Sequence, residues 1–357
     1  MKKMLIYIGV VVGVIIVALL CYIAYLFLSY QRIADKQVLT PETNNQEVLT
    51  TDQRYRGMTF NIGYGAYTAD YTFFMDGGKS SRAKDQATVE GNMTGVAETT
   101  TAIDPTISFF QEVDQDGDRS RHVNEVAFLQ EQFPNNSSVY AQNYQSAYLF
   151  YPFLDPIGQA TSGLVTLAKS DITEAIRYSL PIETNFNKFF DLDRAFSVSH
   201  IPVSNGKELI AINVHLSAYT DDPLVQEAQI NKLYDVMTQS YQAGHYVLVG
   251  GDFNHDMLGD SPTIFNTTAE RHSWDQPFPE STLPEGFTIP KGTIAEDAIP
   301  TTRKLDIPYE PGVSYVSVLD GFMVSDNISV EGVAVHDGGF AYSDHNPVVI
   351  DFKLNEQ

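Results

Sequence analysis

The sequence predicts a mixed α/β domain that is built on two β-sheets and preceded by one membrane-spanning helix. Three observations carry this prediction: a series of short apolar segments with strand composition, one segment with the signals of an amphipathic helix, and an uncharged apolar run near the N-terminus. Many strands with few long helices could also form a plain β-sandwich. The helix between two predicted strands favours an α/β arrangement.

The apolar run covers residues 4–28, and Lys2 and Lys3 precede it. As a helix it would be about 37 Å long, enough to cross a bilayer with some tilt. A cleaved signal peptide usually has a shorter apolar core of about 7–15 residues. We therefore expect residues 1–30 to be an uncleaved signal anchor. The two lysines favour a cytoplasmic N-terminus, a single pass through the cell membrane and an extracytoplasmic domain.

Residues 31–52 are polar and are predicted to be a tether, and residues 53–357 are predicted to be one folded domain. The predicted helix covers residues 223–243, with Asp222 as N-cap, Pro223 at the first position and Gly244 just past its end. Residues 270–312 contain several prolines and are predicted to be a long surface loop. The predicted strands cover residues 56–62, 107–113, 163–169, 195–203, 208–216, 246–250, 318–325, 330–336 and 347–354.

The charge balance restricts the possible partners. The chain has a net charge of -23, and removing Lys2 and Lys3, the only charges among the first 30 residues, leaves -25 for the remainder. Such a surface repels phosphate backbones, which argues against tight non-specific binding of DNA or RNA. Bound cations would reverse the field locally, so a phosphoester substrate remains compatible. Cys21 is the only cysteine, so the folded domain has no disulfide.

Polar residues stand at or near the ends of the predicted strands. We expect each apolar strand to deliver them to its carboxyl end, so that they line one rim of the sheets. Taken singly, each has an ordinary explanation as a turn residue, a solvated carboxylate or a hydrogen-bonded core histidine. All of these explanations would have to be true at once for the chain to have no active site. The residues are Asn61, Glu112, Asp114, His215, Asp252, Asn254, Asp320, Asp344 and His345.

Two of these motifs are specific: residues 250–254, Gly-Gly-Asp-Phe-Asn, and residues 343–345, Ser-Asp-His. With Asn61, Gln111-Glu112 and His215 upstream, they resemble the endonuclease/exonuclease/phosphatase superfamily over residues 55–354. That superfamily includes deoxyribonuclease-I-like enzymes, inositol polyphosphate phosphatases, deadenylases and neutral sphingomyelinases. The resemblance implies a four-layer α/β/β/α fold, in which helices flank a two-sheet sandwich.

The resemblance also implies a metal site. Glu112 is expected to be the main ligand, with Asn61 beside it and Asp344 as a further ligand, direct or through water. These are oxygen ligands, which Mg²⁺ prefers, and Mn²⁺ is a possible substitute. The expected cofactor is therefore Mg²⁺ or Mn²⁺.

The remaining motif residues match catalytic positions of the superfamily. His345 matches the histidine at the scissile phosphate, as general base or as a donor to a phosphoryl oxygen, and Asp320 matches the carboxylate that orients it. Asp252 and Asn254 would hold the attacking water and the phosphoryl oxygen, and in some members the aspartate is proposed as the base. His215 would donate to a phosphate oxygen or to the leaving group.

Four basic residues are candidates for contacts with substrate phosphate: Lys79, Arg82, Arg119 and Arg194. Lys79 and Arg82 belong to a glycine-rich stretch that could equally be an ordinary mobile loop. Arg119 could instead belong to a charged helix start. Arg194 precedes a predicted strand, where the superfamily often has a basic residue.

The predicted function is hydrolysis of a phosphoester by a membrane-anchored, extracytoplasmic, metal-dependent enzyme. The acidic surface and the anchor favour a small or lipid-borne phosphoester. A nuclease acting on DNA or RNA is the first alternative, because the motifs fit it equally well. The second alternative is an inactive binding module on the same fold, which predicts missing catalytic residues, whereas all of them are present. The oligomeric state and the substrate stay open.

Overall fold

The computed structural model describes residues 2–42, 44–189, 193–218, 222–266 and 275–356. Its strands in chain order are β1 (Gln37–Leu39), β2 (Arg54–Asn61), β3 (Ile107–Gly117), β4 (Ser137–Gln145), β5 (Ala160–Ala168), β6 (Glu174–Ser179), β7 (Ala195–Pro202), β8 (Glu208–His215), β9 (Tyr246–Asp252), β10 (Phe287–Thr288), β11 (Thr302–Arg303), β12 (Val316–Ser317), β13 (Asp320–Ser325), β14 (Ile328–Val335) and β15 (Val348–Leu354).

The first four helices are longer than one turn, and the last two are single turns. They are α1 (Lys2–Ser29), α2 (Gln86–Ile103), α3 (Glu125–Gln132), α4 (Pro223–Gln242), α5 (Ser261–Ile264) and α6 (Ile294–Asp297). Short 3-10 turns cover Gly63–Gly65, Phe74–Asp76, Phe186–Phe189 and Glu280–Thr282.

The strands form two large sheets, as predicted. Sheet 1 has seven strands in the order β1-β6-β7-β8-β9-β13-β10, and sheet 2 has six in the order β14-β15-β2-β3-β5-β4. Both sheets are mixed, because β2 runs parallel to β3 and β8 parallel to β9, while the other pairs are antiparallel. The two-sheet sandwich flanked by helices is thus confirmed.

The core lies between the sheets and under the helices. Every residue of β9 is buried, because one face of this strand packs on β2 and β3 of sheet 2 and α4 covers the other. On the far side of sheet 2, Val89, Met93 and Val96 of α2 pack with Phe110 of β3. Burying apolar faces on both sides of each sheet is the main stabilising contribution of this layered arrangement.

The strand directions bring several strand ends to one rim. β2, β8 and β9 end there, and β3 passes the rim at Glu112 and continues to Gly117. β13 is antiparallel to β9, with Asp320 opposite Asp252, and β15 is antiparallel to β2. The prediction that every polar motif follows its strand is therefore wrong for Asp320, which begins β13, and for Asp344 and His345, which precede β15. Antiparallel pairing brings them to the same rim.

The predicted α4 is found with its capping residue, since the Asp222 side chain accepts a hydrogen bond from the backbone N–H of Leu224. The sequence analysis missed α2, α3, β4 and β6, and also the short elements β1, β10, β11, β12, α5 and α6. α2 is rich in threonine and contains two glycines, all weak helix formers, and only tertiary packing makes up for them. Its one local signal is Asp85, whose side chain accepts from the backbone N–H of Thr88.

The segment predicted as a polar tether is in contact with the domain. β1 pairs with β6 and forms one edge of sheet 1, and Arg32 forms an ion pair with Asp193. Leu49 is 4% exposed and belongs to the core between the sheets. The few apolar residues of this segment thus have a place to pack, and the polar residues around them face solvent.

The predicted surface loop at residues 270–312 starts within residues 267–274, which lie outside the described part. From residue 275 onward it has little regular structure, as expected, but it is not confined to the surface. Thr301, Thr302 and Arg303 are buried, because β11 pairs with β12 and Thr302 bridges to His345.

The helix α1 is long and apolar enough to cross a membrane. Its mean hydropathy is 3.0 over the most apolar window, and none of that window is buried against the rest of the described chain. Only its last turns touch the domain, where Leu26 packs with Leu149 and Phe189.

Candidate active site

A β-bulge places the first acidic residue of the rim. The register between β3 and β5 shifts between Phe110 and Val113, and Glu112 within this shift has a φ of 55°. A non-glycine residue in this backbone region is strained, and such strain concentrates at functional sites. The bulge brings Glu112 Oε1 to 3.2 Å from the Asn61 amide nitrogen.

Asn61 joins the two sheets at this rim. Its Nδ2 donates to Glu112 Oε1 and, at 3.0 Å, to Oδ2 of Asp252, which ends β9 in sheet 1. Its Oδ1 accepts from the backbone N–H of Gly63 at 3.0 Å. One buried amide therefore fixes the separation of the two sheets where the acidic residues meet.

His345 and Asp320 form a buried pair. His345 Nδ1 and Asp320 Oδ2 are 2.7 Å apart, and both residues are less than a tenth exposed. The other ring nitrogen, Nε2, lies 3.2 Å from Thr302 Oγ1 and 3.8 Å from Asp252 Oδ2. Because Asp320 occupies Nδ1, it orients the ring so that Nε2 faces the carboxylate of Asp252.

His215 approaches the same carboxylate from β8. Its Nε2 lies 3.4 Å from Asp252 Oδ2 and 3.9 Å from Glu112 Oε1. Asn254 has a φ of 49°, its backbone N–H donates to Asp252 Oδ1 at 2.9 Å, and its side chain donates to the carbonyl of Leu216 at 2.8 Å. Asp252 is thus the centre of the polar cluster.

The glycine before Asp252 is needed because two backbones approach closely. A Cβ on Gly251 would lie 2.0 Å from the carbonyl oxygen of Val214 on the neighbouring strand β8. No side chain fits there, so the strand can deliver Asp252 to this position only with glycine before it.

Burial and mutual charge shift the titration of this cluster. Burial, then the charge of Asp320, raises the pKa of Asp252 to about 6. Burial, and further the charge of Glu112, raises the pKa of Asp344 to about 7, against the opposing effect of His345. Burial opposes the charged form of His345, but Asp320 and Asp344 outweigh it and raise its pKa well above the ordinary value.

The second histidine behaves in the opposite way. Burial, assisted by the positive charges of Arg194 and His345, lowers the pKa of His215 well below the ordinary value. The site therefore holds one charged and one neutral imidazole near Oδ2 of Asp252. Two equivalent groups with opposite shifts can take different roles in acid–base chemistry.

A cavity of about 350 Å³ opens over the cluster. Its polar floor consists of Glu112, His215, Asp252, Asn254, Asp344 and His345. Asn61 and Asp320 are placed behind this floor, where they hold Asp252 and His345. The aromatic residues Tyr64, Tyr67, Phe73 and Tyr144 line one wall. All eight motif residues with predicted metal or catalytic roles are thus brought together at one site.

The four basic candidates divide into two groups. Arg119 and Arg194 line the cavity, whereas Lys79 and Arg82 do not. The Arg82 guanidinium is held instead by Asp155. The guanidinium of Arg119 already has protein partners. It forms two hydrogen bonds with buried Asp114, at 3.1 and 2.7 Å, and lies 3.9 Å from the centre of the Tyr64 ring.

The sequence analysis missed Thr302, Arg303 and Lys304, which also line the cavity. The Arg303 backbone N–H donates to the Asp344 carbonyl, and its guanidinium donates to the Thr68 carbonyl at 2.8 Å. These residues lie in the proline-containing segment without periodicity, so no local signal pointed to them.

Comparison with known proteins agrees with this geometry. The profile of the Endonuclease/Exonuclease/phosphatase family matches residues 58–345. The chain belongs to this family. Its members are hydrolases that act on phosphoester bonds, so this chain is a hydrolase of that class. A comparison with curated proteins gave no significant match.

Solved structures show the same fold at low sequence identity. An endonuclease/exonuclease/phosphatase from Beutenbergia cavernae DSM 12333 is 16% identical, with a TM-score of 0.58 over 85% of this chain and 72% of that one. TDP2 from Caenorhabditis elegans is 15% identical, with a TM-score of 0.52 over 85% and 75%. D. rerio TDP2, complexed with a single-strand DNA product, is 13% identical, with a TM-score of 0.50 over 85% and 100%.

Enzymes of this family are generally dependent on a divalent metal, and the site has groups that fit one. The carboxylates of Glu112 and Asp252 both accept from the amide of Asn61, and the charge of Glu112 adds to burial in raising the pKa of Asp344. A divalent cation offsets such repulsion, and an all-oxygen donor set suits a hard cation.

A second group of possible ligand atoms belongs to Asp252, Asp320 and His345, whose atoms lie within 4.8 Å of one another. In this group His345 is already hydrogen-bonded to Asp320 and carries a raised pKa. That hydrogen bond occupies one possible ligand atom of each of these two residues. The carboxylates of Glu112 and Asp344 suit a hard cation better. The predicted ligand Asn61 does not offer its oxygen, because Oδ1 accepts from the Gly63 N–H and Nδ2 faces the carboxylates.

Proposed function

We propose that this chain is a metal-dependent phosphoesterase in which water attacks a phosphoryl group bound in the cavity. The observation that carries the proposal is that two histidines approach Oδ2 of Asp252 with their Nε2 atoms, charged His345 at 3.8 Å and neutral His215 at 3.4 Å. Phosphoester hydrolysis needs a proton acceptor for water and donors for the phosphoryl oxygens. This arrangement supplies both.

Each residue then has a role. Asp252, with a pKa near 6, is largely ionised at neutral pH and accepts the proton of the attacking water. His345, kept charged by Asp320, donates to a phosphoryl oxygen. His215 donates to another oxygen or to the leaving group, and Asn254 positions the water.

The expected metal is Mg²⁺ or Mn²⁺, and Glu112 and Asp344 would hold it, with Asn61 beside them. When bound, it neutralises charge on the phosphoryl oxygens. Arg194 and Arg303 line the cavity and supply further positive charge in an otherwise acidic domain.

We further propose that α1 anchors the enzyme in the cell membrane and that the domain lies outside the cytoplasm. Lys2 and Lys3 stand at the start of the helix, and the apolar side chains of the helix are exposed over most of its length. Positive residues before a first spanning helix favour a cytoplasmic N-terminus.

The preferred substrate is proposed to be a small or lipid-borne phosphoester. A charge of -25 beyond the first 30 residues, derived above, opposes binding of a duplex, which carries one negative charge per roughly 1.7 Å of axis. Hydrolysis of nucleic acid is the second candidate, because a structure with the same fold is complexed with a single-strand DNA product. An inactive module would not keep the whole catalytic cluster.

The test is an assay of the detergent-solubilised full chain on bis-p-nitrophenyl phosphate and on plasmid DNA at about 0.15 M salt. We expect hydrolysis of the small diester to disappear with EDTA and to return with Mg²⁺ or Mn²⁺, because the crowded carboxylates need a cation. Activity that survives thorough chelation would refute the metal mechanism. A kcat/KM for plasmid well above that for the diester would replace this substrate class with nucleic acid.

A further inference from the structure

The loop between β4 and β5 carries an unusual concentration of exposed apolar side chains. Among described residues after α1, Leu154 and Phe153 are the most exposed large apolar residues, at 101% and 82%. Tyr151 and Phe150 beside them are 61% and 50% exposed. Single exposed apolar residues are normal, but a contiguous cluster marks an interaction surface. We call residues 148–157 the apolar loop.

The apolar loop is attached to the end of α1. The Tyr22 hydroxyl donates to the Tyr148 carbonyl at 3.1 Å, and the Tyr25 hydroxyl accepts from the Tyr148 backbone N–H at 2.9 Å. The rings of Tyr22 and Phe150 meet edge to face with centroids 5.1 Å apart. Leu149 packs against buried Leu26. The apolar loop thus lies beside the last turns of α1, at the same height along the helix axis.

The length of α1 sets the depth of this contact. Lys3 and Tyr22 are nineteen residues apart, so at about 1.5 Å per residue they are separated by roughly 28 Å along the helix. The hydrocarbon core of a bilayer is about 30 Å thick. With Lys3 at the inner interface, Tyr22 lies at the outer one, among tyrosines typical of an interfacial belt. A spanning α1 in this position would place the apolar loop at the lipid surface.

The same loop borders the candidate active site. Ile157 lines the cavity, and so does Met75, which is 57% exposed. The Tyr151 ring packs edge to face on Phe74, next to Met75, with centroids 5.6 Å apart. Asp155 ties the loop to the domain through Arg82. An apolar surface thus runs from the loop to the edge of the cavity.

We propose that the apolar loop inserts into the outer lipid interface and holds the cavity against the bilayer, so that the substrate is a phosphoester carried by a membrane lipid. This deepens the proposed function and depends on its spanning helix. The partner is the bilayer rather than a protein, because α1 already places the loop at that depth. An acidic domain is repelled by anionic lipid, so apolar insertion is the contact that can hold it there.

The position of the loop is tested with the full chain in phosphatidylcholine and phosphatidylglycerol vesicles. Cys21→Ser removes the only cysteine, and L154C then carries an NBD label. The control is A334C on β14, an exposed site at the edge of sheet 2 opposite β4. Lipids with a doxyl group near the headgroup should quench the label at 154 several-fold more than at 334. Equal quenching, or none at 154, would overturn the proposal.

The role of the loop in substrate use is tested with F153S combined with L154S. Both side chains are exposed, so the fold should be retained. Hydrolysis of sphingomyelin, phosphatidylglycerol or phosphatidic acid in the vesicles should fall about tenfold or more, because two inserted apolar side chains are lost. Hydrolysis of bis-p-nitrophenyl phosphate should not change. V313S, at another exposed apolar residue, is the matched control.

The outcomes separate the two proposals. Hydrolysis of the soluble diester but of none of the lipids, or an equal loss with V313S, would refute lipid presentation and leave the phosphoesterase intact. Failure of the wild-type chain on every phosphoester would refute the enzyme, while the quenching measurement would still decide whether the loop inserts.

Discussion

At the scale of single residues, the site combines strained backbone positions with buried polar side chains, both of which lower the stability of the fold. Glu112 and Asn254 have positive φ values, and Asp252, Asp320 and His345 are buried polar groups. Burying charge is unfavourable unless it is paired, and positive φ strains a residue with a side chain. The hydrogen bonds between these residues offset the cost, and the remaining strain and shifted pKa values point to function.

Substitution of either His345 or Asp252 should reduce turnover while the fold is retained. We expect His345→Ala and Asp252→Asn each to lower kcat by on the order of 10² or more, because a phosphoryl donor and the proton acceptor are lost. The measurement is turnover of bis-p-nitrophenyl phosphate, with far-ultraviolet circular dichroism as the check on folding.

The matched control is His200→Ala, since His200 lies on β7 and pairs with Glu208 outside the cavity. This variant should keep nearly all the activity. If the two site variants retained near-wild-type turnover, the roles assigned to His345 and Asp252 would be incorrect.

At the scale of elements, the segment between α1 and the first long strand is part of the fold. Leu49 lies in the core with 4% exposure, and its backbone N–H donates to the Pro202 carbonyl at 3.0 Å. β1 extends sheet 1 by one strand. The domain is therefore held close to the end of α1, which a free tether would not do.

This packing predicts a difference between two neighbouring residues. Leu49→Ala should lower the free energy of unfolding by about 2–5 kcal/mol, because it leaves a cavity in the core. Val48→Ala, at a residue that is 48% exposed, should change it by less than about 0.5 kcal/mol. Urea unfolding of the detergent-solubilised full chain measures both. Equal, small effects would show that the segment is a free tether after all.

At the scale of the whole molecule, the chain divides into an apolar N-terminal segment with two positive charges and a strongly acidic remainder. The first 30 residues carry Lys2 and Lys3 as their only charges, and the strongly acidic remainder follows. Positive charge is retained on the cytoplasmic side of a spanning helix. The polarity of the chain thus predicts which side of the membrane the domain occupies.

Protease added to intact cells should remove the domain and leave α1 in the membrane, because the domain is predicted to lie outside. Immunoblotting against a C-terminal tag follows the loss, and a cytoplasmic protein that stays intact shows that the cells are closed. A domain that is protected until lysis would reverse the proposed topology.

The sequence by itself determined the fold class, the family, the apolar helix and most strands of the two sheets. These features follow from local patterns: apolar runs of strand length, a capped helix, and short motifs such as Gly-Gly-Asp-Phe-Asn at 250–254. α2 escaped because threonine and glycine weaken its local signal, and packing on sheet 2 makes up for it.

Only the tertiary structure decided which charged residues reach the site. Lys79 and Arg82 looked like phosphate ligands but lie outside the cavity lining, whereas Arg303, in a segment predicted to be a surface loop, lines it. The same holds for the apolar loop, whose meaning depends on its contact with Tyr22, far away in sequence. Contacts between distant segments depend on how the sheets and helices pack, and local sequence patterns carry no record of that packing.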